Sequence, residues 1–499
     1  MKKTAFLLAL ILFFAFTVNS KPISAQVDRQ IQDEIIYNIL VDRFNNGDFN
    51  RDDQIRIDDP NAYQGGDLQG IILKLDSLIE IGVTTLSLSP IMANAEDGYH
   101  GYWIEDFNSI DEQFGTMEDL QLLIEEAHDR NMKVVLEFVP NFISSTHPIA
   151  SDPEKEDWIL ERNNVSTDWG EEAVALNQEN PEVQEFLIEA AEFWMNETEI
   201  DGFKLHAVEQ SSLDFLEKFT TKIKDQNPEF YLIGDVLNED ADTEEIINNT
   251  AIDIVDNPSL YQSMSDTFSE LGQPVSDLYD EFQENATDSD LLYMDNKYTD
   301  RFTQKFSENG RNSLTAWTLA LTYMYTTPGV PSILQGSELP MYGDASQAQK
   351  LMQFNSGDAE LTEFHNRISS LRSEFPTLVY GDFEIVGSSG AMSVFKRTYD
   401  GNTMYIAINN DDKAQSVAVD GIESGMQLRG YLGDNLVREN DKGEYKIGLA
   451  RETAEVYVIQ SDAGFNWGFI GFVGGIFLLF VFVVIYLSRK QKKREAKNG

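Results

Sequence analysis

Side chains able to do chemistry fall at the ends of short apolar runs. The segment "LSPIMANAEDGYHGYW" carries His100, Tyr102 and Trp103, "VVLEFVPNF" carries Glu137 and Asn141, and "IDGFKLHAVEQ" carries Lys204 and His206. Further on, "FYLIGDV" carries Asp235, and "YMDNKYTDRF" carries Asp295, Asn296, Lys297, Tyr298, Asp300 and Arg301. Rings at His100, Tyr102 and Trp103 suit the C–H face of a sugar, with polar groups beside them for its hydroxyls. The same aromatics could instead fill an apolar opening, and composition does not choose between the two. His206 could act as a base oriented by Asp235. "IDGFKLHAVEQ" nevertheless offers a lysine and a histidine with no carboxylate between them.

Positioning such residues requires rigid elements. Near-continuous apolar strands such as "VTTLSLSP", "MKVVLEFVP" and "EFYLIGDV" alternate with amphipathic helical patterns such as "MEDLQLLIEEAHDRN" and "PEVQEFLIEAAEFWMNE". Strands of that kind belong to a parallel sheet covered on both faces. The alternation runs too long for a small doubly wound domain. It predicts an α/β chain with a closed (β/α)8 TIM barrel over 26–378 and its site on the loops after the strand C-termini. A polar insertion at 148–176 follows the third strand. From 379 to 462 short β runs separated by Gly, Asn and Asp turns predict an antiparallel β-sandwich.

The two ends carry a different message. Met1, Lys2 and Lys3 precede the apolar run "TAFLLALILFFAFTV", and small residues follow, the layout of a secretory signal peptide over 1–25. Residues 463–487 form a linker and an uncharged stretch, Trp467 to Leu487, long enough for one transmembrane helix. A basic tail, 488–499, begins "SRKQKKR" and predicts a cytoplasmic C-terminus, with an extracellular N-terminal ectodomain held single-pass at the cell membrane. Gly471, Gly474 and Gly475 would allow close contact with the helix of a membrane protein partner.

Composition excludes several classes. The chain holds 37 basic against 85 acidic residues, a formal net charge of -48, so no nucleic acid partner is expected. Cysteine is absent, which removes disulfides, thiolate chemistry and Cys-based zinc sites. Five histidines leave little for a histidine-rich metal centre.

The segments "IYNILVDRFNNGD", "GGDLQGI", "YHGYWIEDFNSIDEQFGT", "LNQENPEV", "DGFKL" and "TPGVPSILQGSE" occur together and in order. In them the chain resembles the alpha-amylase family of glycoside hydrolases over the whole ectodomain. The resemblance implies a retaining α-glucosidic hydrolase: a carboxylate nucleophile after the fourth strand, a glutamic acid/base after the fifth and a stabilising aspartate after the seventh. Here the family's "GFRxDAxxH" reads "GFKLHAVEQ", so His206 stands at the nucleophile position, Lys204 at that of an arginine and Gln210 at that of a histidine. Asp235 stands at the acid/base position with an arm one methylene shorter. Lys297 replaces a substrate-contacting histidine, and Tyr298 replaces the stabilising aspartate.

All three catalytic positions are therefore altered, and the expected protein is catalytically degenerate. His100 and Tyr102 match family residues that hold the sugar beside the cleavage point, so with Trp103, Lys204 and Lys297 they are the expected glycan contacts. Glu137 and Phe142 depart from the family's Asp and His. Three functions follow from the resemblance: a non-catalytic surface protein binding α-glucan or another glycan, a structural partner subunit in a membrane complex, or a weak, unconventional hydrolase. Asn46, Asp48, Asp52, Gly65 and Asp67 resemble a family calcium loop, against which stands an Asx-rich surface loop. Calcium there would be structural, and no other cofactor is expected.

Overall fold

The computed structural model describes residues 29–160, 173–238, 241–345, 350–462 and 467–498. The predicted signal segment 1–25 and part of the predicted insertion, 161–172, lie outside them.

Eight parallel strands close into a barrel: β1 (Ile36–Ile39), β2 (Thr85–Leu88), β3 (Lys133–Phe138), β4 (Gly202–Leu205), β5 (Tyr231–Gly234), β6 (Ile254–Asp256), β7 (Asp290–Leu292) and β8 (Val330–Leu334). Closure is through β1 and β8, where Ile36 faces Ser332 and Asn38 faces Leu334. The strands read as apolar on both faces because both are covered. Ile36, Val135, Tyr231, Ile233, Ile254, Leu291 and Val330 pack along the barrel interior. Leu86, Leu136, Phe203 and Leu232 point outward, in one continuous core with Leu120, Leu187 and Phe219 of the surrounding helices. Those helices start on side-chain caps. Asn180 accepts from Glu182 N ahead of Pro181–Glu197, and Thr116 and Asp119 form a reciprocal capping box at Met117–His128. Gly202 is required where it stands, because a Cβ there would meet the Tyr231 carbonyl oxygen at 2.6 Å.

After β3 the chain forms a two-stranded antiparallel pair, Phe142–Ser144 with Ala173–Ala175, flanked by the helical turns Pro148–Ser151 and Pro153–Trp158. Beyond the barrel a six-stranded antiparallel sheet faces a second sheet of two strands, Gln415–Val419 and Tyr445–Leu449. Met392, Val394, Tyr405, Val417, Leu428, Ile447 and Tyr457 form their shared core. This layer is fastened to the barrel by buried polar contacts. Arg311 donates to Asn410 Oδ1 at 2.8 Å and pairs with Glu452 at 3.1 Å, and Arg397 donates to the Thr326 carbonyl.

The last element is a 32-residue helix, Trp467–Asn498. Its stretch Gly471–Lys490 is long and apolar enough to cross a membrane and is not packed against the rest of the protein. The large apolar side chains it leaves exposed include Phe472, Leu478, Phe480 and Phe482.

Candidate functional site

Each barrel strand delivers its polar terminus to one end of the barrel. At the end of β4, Ala207 adopts a left-handed backbone (φ 47°) that turns the chain sharply out of the strand. Asn141 holds this turn, its Nδ2 donating to the carbonyls of His206 and Ala207 at 2.9 and 3.0 Å. The His206 ring is thereby fixed at the barrel mouth. After β7 an Asx-type turn, with Tyr298 N donating to Asn296 Oδ1 at 2.8 Å, presents Lys297 and Tyr298. Asp295 anchors that loop, accepting from Phe302 N at 3.0 Å and from Ser337 Oγ of the β8 loop at 2.6 Å.

His206, Asp235 and Tyr298 converge. His206 Nδ1 lies 3.0 Å from Asp235 Oδ2 and 3.2 Å from Glu137 Oε1. The Tyr298 hydroxyl lies 3.4 Å from both His206 Nδ1 and Asp235 Oδ2, and 3.3 Å from the Tyr102 hydroxyl. Tyr102 donates to Glu137 Oε1 at 2.7 Å, while Lys297 Nζ meets both Glu137 oxygens at 2.7 and 2.6 Å. From beneath, Lys204 Nζ approaches Asp235 Oδ1 at 3.4 Å and Asp256 Oδ2 at 4.0 Å. His206, Asp235 and Glu137 are only 1%, 2% and 3% exposed. The cavity among Asn38, Ser87, Glu137, Lys204, Asp235 and Tyr298 measures about 30 Å³. That is room for roughly one water molecule, against the roughly 300 Å³ or more of a typical ligand pocket.

Charges in this network hold one another in place. Burial alone would raise the Asp235 carboxyl, but Lys204, Lys297 and His206 outweigh it and hold Asp235 well below the usual range. Burial likewise opposes ionisation of Glu137, and Lys297 and His206 reverse the balance, so its pKa is lowered. His206 is disfavoured as a cation by burial yet raised on balance by its hydrogen bonds to Asp235 and Glu137. Lys204 is kept charged against desolvation by Asp256, Asp235 and Glu137. Asp256 is pushed up to about 8, chiefly by burial. Burial also raises the Tyr102 and Tyr298 phenols, leaving them as neutral donors.

The aromatic residues lie beside this network. His100 stacks on Tyr102 at 5.6 Å and meets the Trp103 ring edge-on at 4.6 Å, and Tyr102 lies 4.5 Å from the His206 ring. His100 and Tyr102 are buried and Trp103 is half-buried. Burial, followed by Arg43, lowers the His100 pKa well below its usual value.

The residues of the expected calcium loop also lie together, though they largely bind one another. Asp67 accepts from the backbone amides of Gly47, Asp48 and Gly70, using both oxygens. Asp48 pairs with Arg51 at 3.1 Å, and Asn46 Nδ2 donates to Asp52 at 2.9 Å. Asn46 Oδ1 is buried without a hydrogen-bond partner, the feature a cation would satisfy. Asp52 and Asn46 therefore fit as ligands, whereas Asp67 holds the loop.

Two members of the network have roles that the sequence does not assign. Glu137, a polar strand end and a departure from the family pattern, sits at the centre of the cluster. Asp256 ends β6. Its signal was a charge closing the apolar run "AIDIVD", at a strand end where the other polar groups also stand.

Comparison with known proteins agrees with this architecture. The alpha-amylase catalytic domain matches residues 38–172 and 169–367, and the alpha-amylase C-terminal domain matches 381–457. The chain belongs to the alpha-amylase family. A solved Anoxybacillus alpha-amylase superposes with a TM-score of 0.83 at 40% identity, covering 88% of this chain and 100% of that one. The alpha-amylase of Geobacillus thermoleovorans, solved with acarbose, gives 0.80 at 38% identity, covering 87% and 100%. The cyclomaltodextrinase of Thermoanaerobacter pseudethanolicus is 27% identical over 424 residues, 78% of this chain and 72% of that protein.

Proposed function

We propose that this protein is a non-hydrolytic member of the alpha-amylase family that binds α-glucan at the surface of a membrane it is anchored to. One observation carries the first half: Asp235, the carboxylate aligned with the family acid/base, is buried and held ionised by Lys204 and His206. Retaining cleavage needs one carboxyl group protonated to serve the leaving oxygen and a second, about 5 to 5.5 Å away, ionised for attack. Glu137, beside it, is held ionised by Lys297, while Asp256, which burial keeps protonated, lies against Lys204 beneath Asp235. Neither Asp235 nor Glu137 carries a proton to deliver. Cationic side chains also stand where an oxocarbenium-like transition state demands negative charge.

The glycan half rests on family membership and on the His100, Tyr102 and Trp103 ring cluster, whose half-buried Trp103 borders the mouth. A glucan would lie across this rim, since a cavity of about 30 Å³ excludes a sugar ring. In this reading the N-terminal ectodomain faces outward and the basic tail stays in the cytoplasm. Calcium, bound through Asn46 and Asp52, would stabilise the β1 loop and take no part in chemistry.

The test is calorimetric titration of the full chain in detergent with maltoheptaose, alongside chromatography of the products. Saturable binding with no released product is expected. Turnover that Asp235→Ala abolishes would overturn the non-hydrolytic reading, and absence of binding would overturn the glycan reading. The filled mouth favours a second reading, a partner subunit docked through the apolar helix. Co-purification of a defined membrane protein, lost when that helix is exchanged for another, would support it.

A further inference from the structure

The network at the barrel mouth also brings donor atoms together at spacings that suit a metal ion. Four heteroatoms from four strand ends lie close to one another: His206 Nδ1, Asp235 Oδ2, Glu137 Oε1 and the Tyr298 hydroxyl. Four of the distances between them are 3.0, 3.2, 3.4 and 3.4 Å. Donor atoms of Glu137, His206 and Asp235 all lie within 4.8 Å of one another. An imidazole nitrogen carries at most one proton, so His206 Nδ1 cannot satisfy three oxygen neighbours at once. Ligand atoms bound at roughly 2.0–2.1 Å to a single ion are about 3.0 Å apart at right angles and about 3.4 Å apart in a tetrahedron. The observed separations span that interval.

We propose that Glu137, His206 and Asp235, with the Tyr298 hydroxyl as a fourth donor, bind a first-row divalent metal ion of the zinc type. Two carboxylates neutralise a divalent ion. The imidazole favours zinc and its neighbours over calcium or magnesium, which prefer all-oxygen cages. The surroundings already supply orienting contacts of the sort that tune metal sites. Lys204 engages Asp235 through Oδ1, leaving Oδ2 to the ion. Tyr102 braces Glu137, and Asn141 pins the His206 turn. Lys297 is the competitor: its ammonium rests on both Glu137 oxygens and must swing toward solvent, which its 12% exposed side chain can reach. This site shares Asp235, Glu137 and His206 with the network of the proposed function and is separate from the loop around Asn46.

The full chain in detergent, stripped by a chelator, is titrated with CoCl2 and then ZnCl2 under visible spectroscopy and equilibrium dialysis. One equivalent of Co2+ is expected, with visible bands of a low-coordinate site that Zn2+ abolishes. His206→Ala and Glu137→Gln each weaken binding by about 100-fold or more. His128→Ala, at the opposite end of the barrel, leaves it unchanged. Lys297→Gln removes the competing cation, so it binds tighter, and Zn2+ raises its unfolding temperature more than that of the parent chain. Absence of a stoichiometric ion, or full affinity in His206→Ala, overturns the proposal. Should the ligand variants fail to fold, Lys297→Gln still decides, because unchanged or weaker binding there overturns it as well.

Discussion

Lys297 Nζ, carried by the loop after β7, lies 2.6 Å from Glu137 Oε2 at the end of β3, so an ion pair spans the barrel mouth between strands that face each other across it. The pair and the two tyrosines beneath it occupy the space above Asp235. A single substitution in this network therefore acts on several charges together.

Restoring one family carboxylate should not restore cleavage. In His206→Asp the new group stands beside Asp235 and Glu137 without the imidazole, and Lys204 and Lys297 still hold the carboxylates ionised. Release of maltose or glucose from maltoheptaose is expected to stay at background by chromatography. Measurable turnover in this variant would show that the acid/base position works as it stands.

Lys204 is a buried partner of Asp235, so Lys204→Met leaves an uncompensated charge. Removing one member of such a pair costs about 3–5 kcal/mol. The double change Lys204→Met with Asp235→Leu should cost less than Lys204→Met alone, because it removes both charges of the pair and leaves His206 with Glu137. Urea unfolding of the three proteins measures the difference.

Stability should be greatest on the mildly acidic side. Asp235 and Glu137 have depressed pKa values in the folded state, so their contribution is present above the unfolded values of 3.8 and 4.5 and is lost as pH falls through the folded ones. His206 is raised, so its contribution is present below 6.5 and is lost as pH rises through its folded pKa. Asp256, raised to about 8, holds a proton that the unfolded chain has released, so stability also falls as pH rises from 3.8 toward 8. Melting temperatures between pH 3 and 9 should peak at about pH 4–5, and Asp256→Asn should flatten the alkaline limb.

If Asn46 and Asp52 bind calcium as proposed, through the buried Asn46 Oδ1 that has no hydrogen-bond partner, the β1 loop should respond to the ion. Millimolar CaCl2 should raise the melting temperature by a few degrees, on the order of 1 kcal/mol for a domain of this size. Asn46→Ala should abolish the increment, whereas Asp67→Asn should destabilise the loop with or without calcium. Differential scanning calorimetry in CaCl2 and in EGTA separates the two effects.

Much of the barrel was legible because its cause is local. Strands such as Lys133–Phe138 are short apolar runs, helices such as Met117–His128 and Pro181–Glu197 have an amphipathic stripe, and caps such as Asn180 with Pro181 mark the starts. The polar residue closing each run marked the strand end that carries chemistry. Glu137 and Asp256 were harder to read, since their roles depend on partners about 50 to 160 residues away: His206 and Lys297 for Glu137, and Lys204 for Asp256. No periodicity records such pairings.

The sequence by itself determined the alternation of strands and helices, the apolar C-terminal segment and the identities of His206, Asp235 and Tyr298, because these are properties of residue type and spacing. Tertiary structure alone decided that Glu137 joins them, that Lys297 closes the mouth, and that His100 and Tyr102 are buried. Those outcomes depend on distances of a few ångströms between strand ends. Only closure of the barrel sets such distances, by bringing opposite strands face to face.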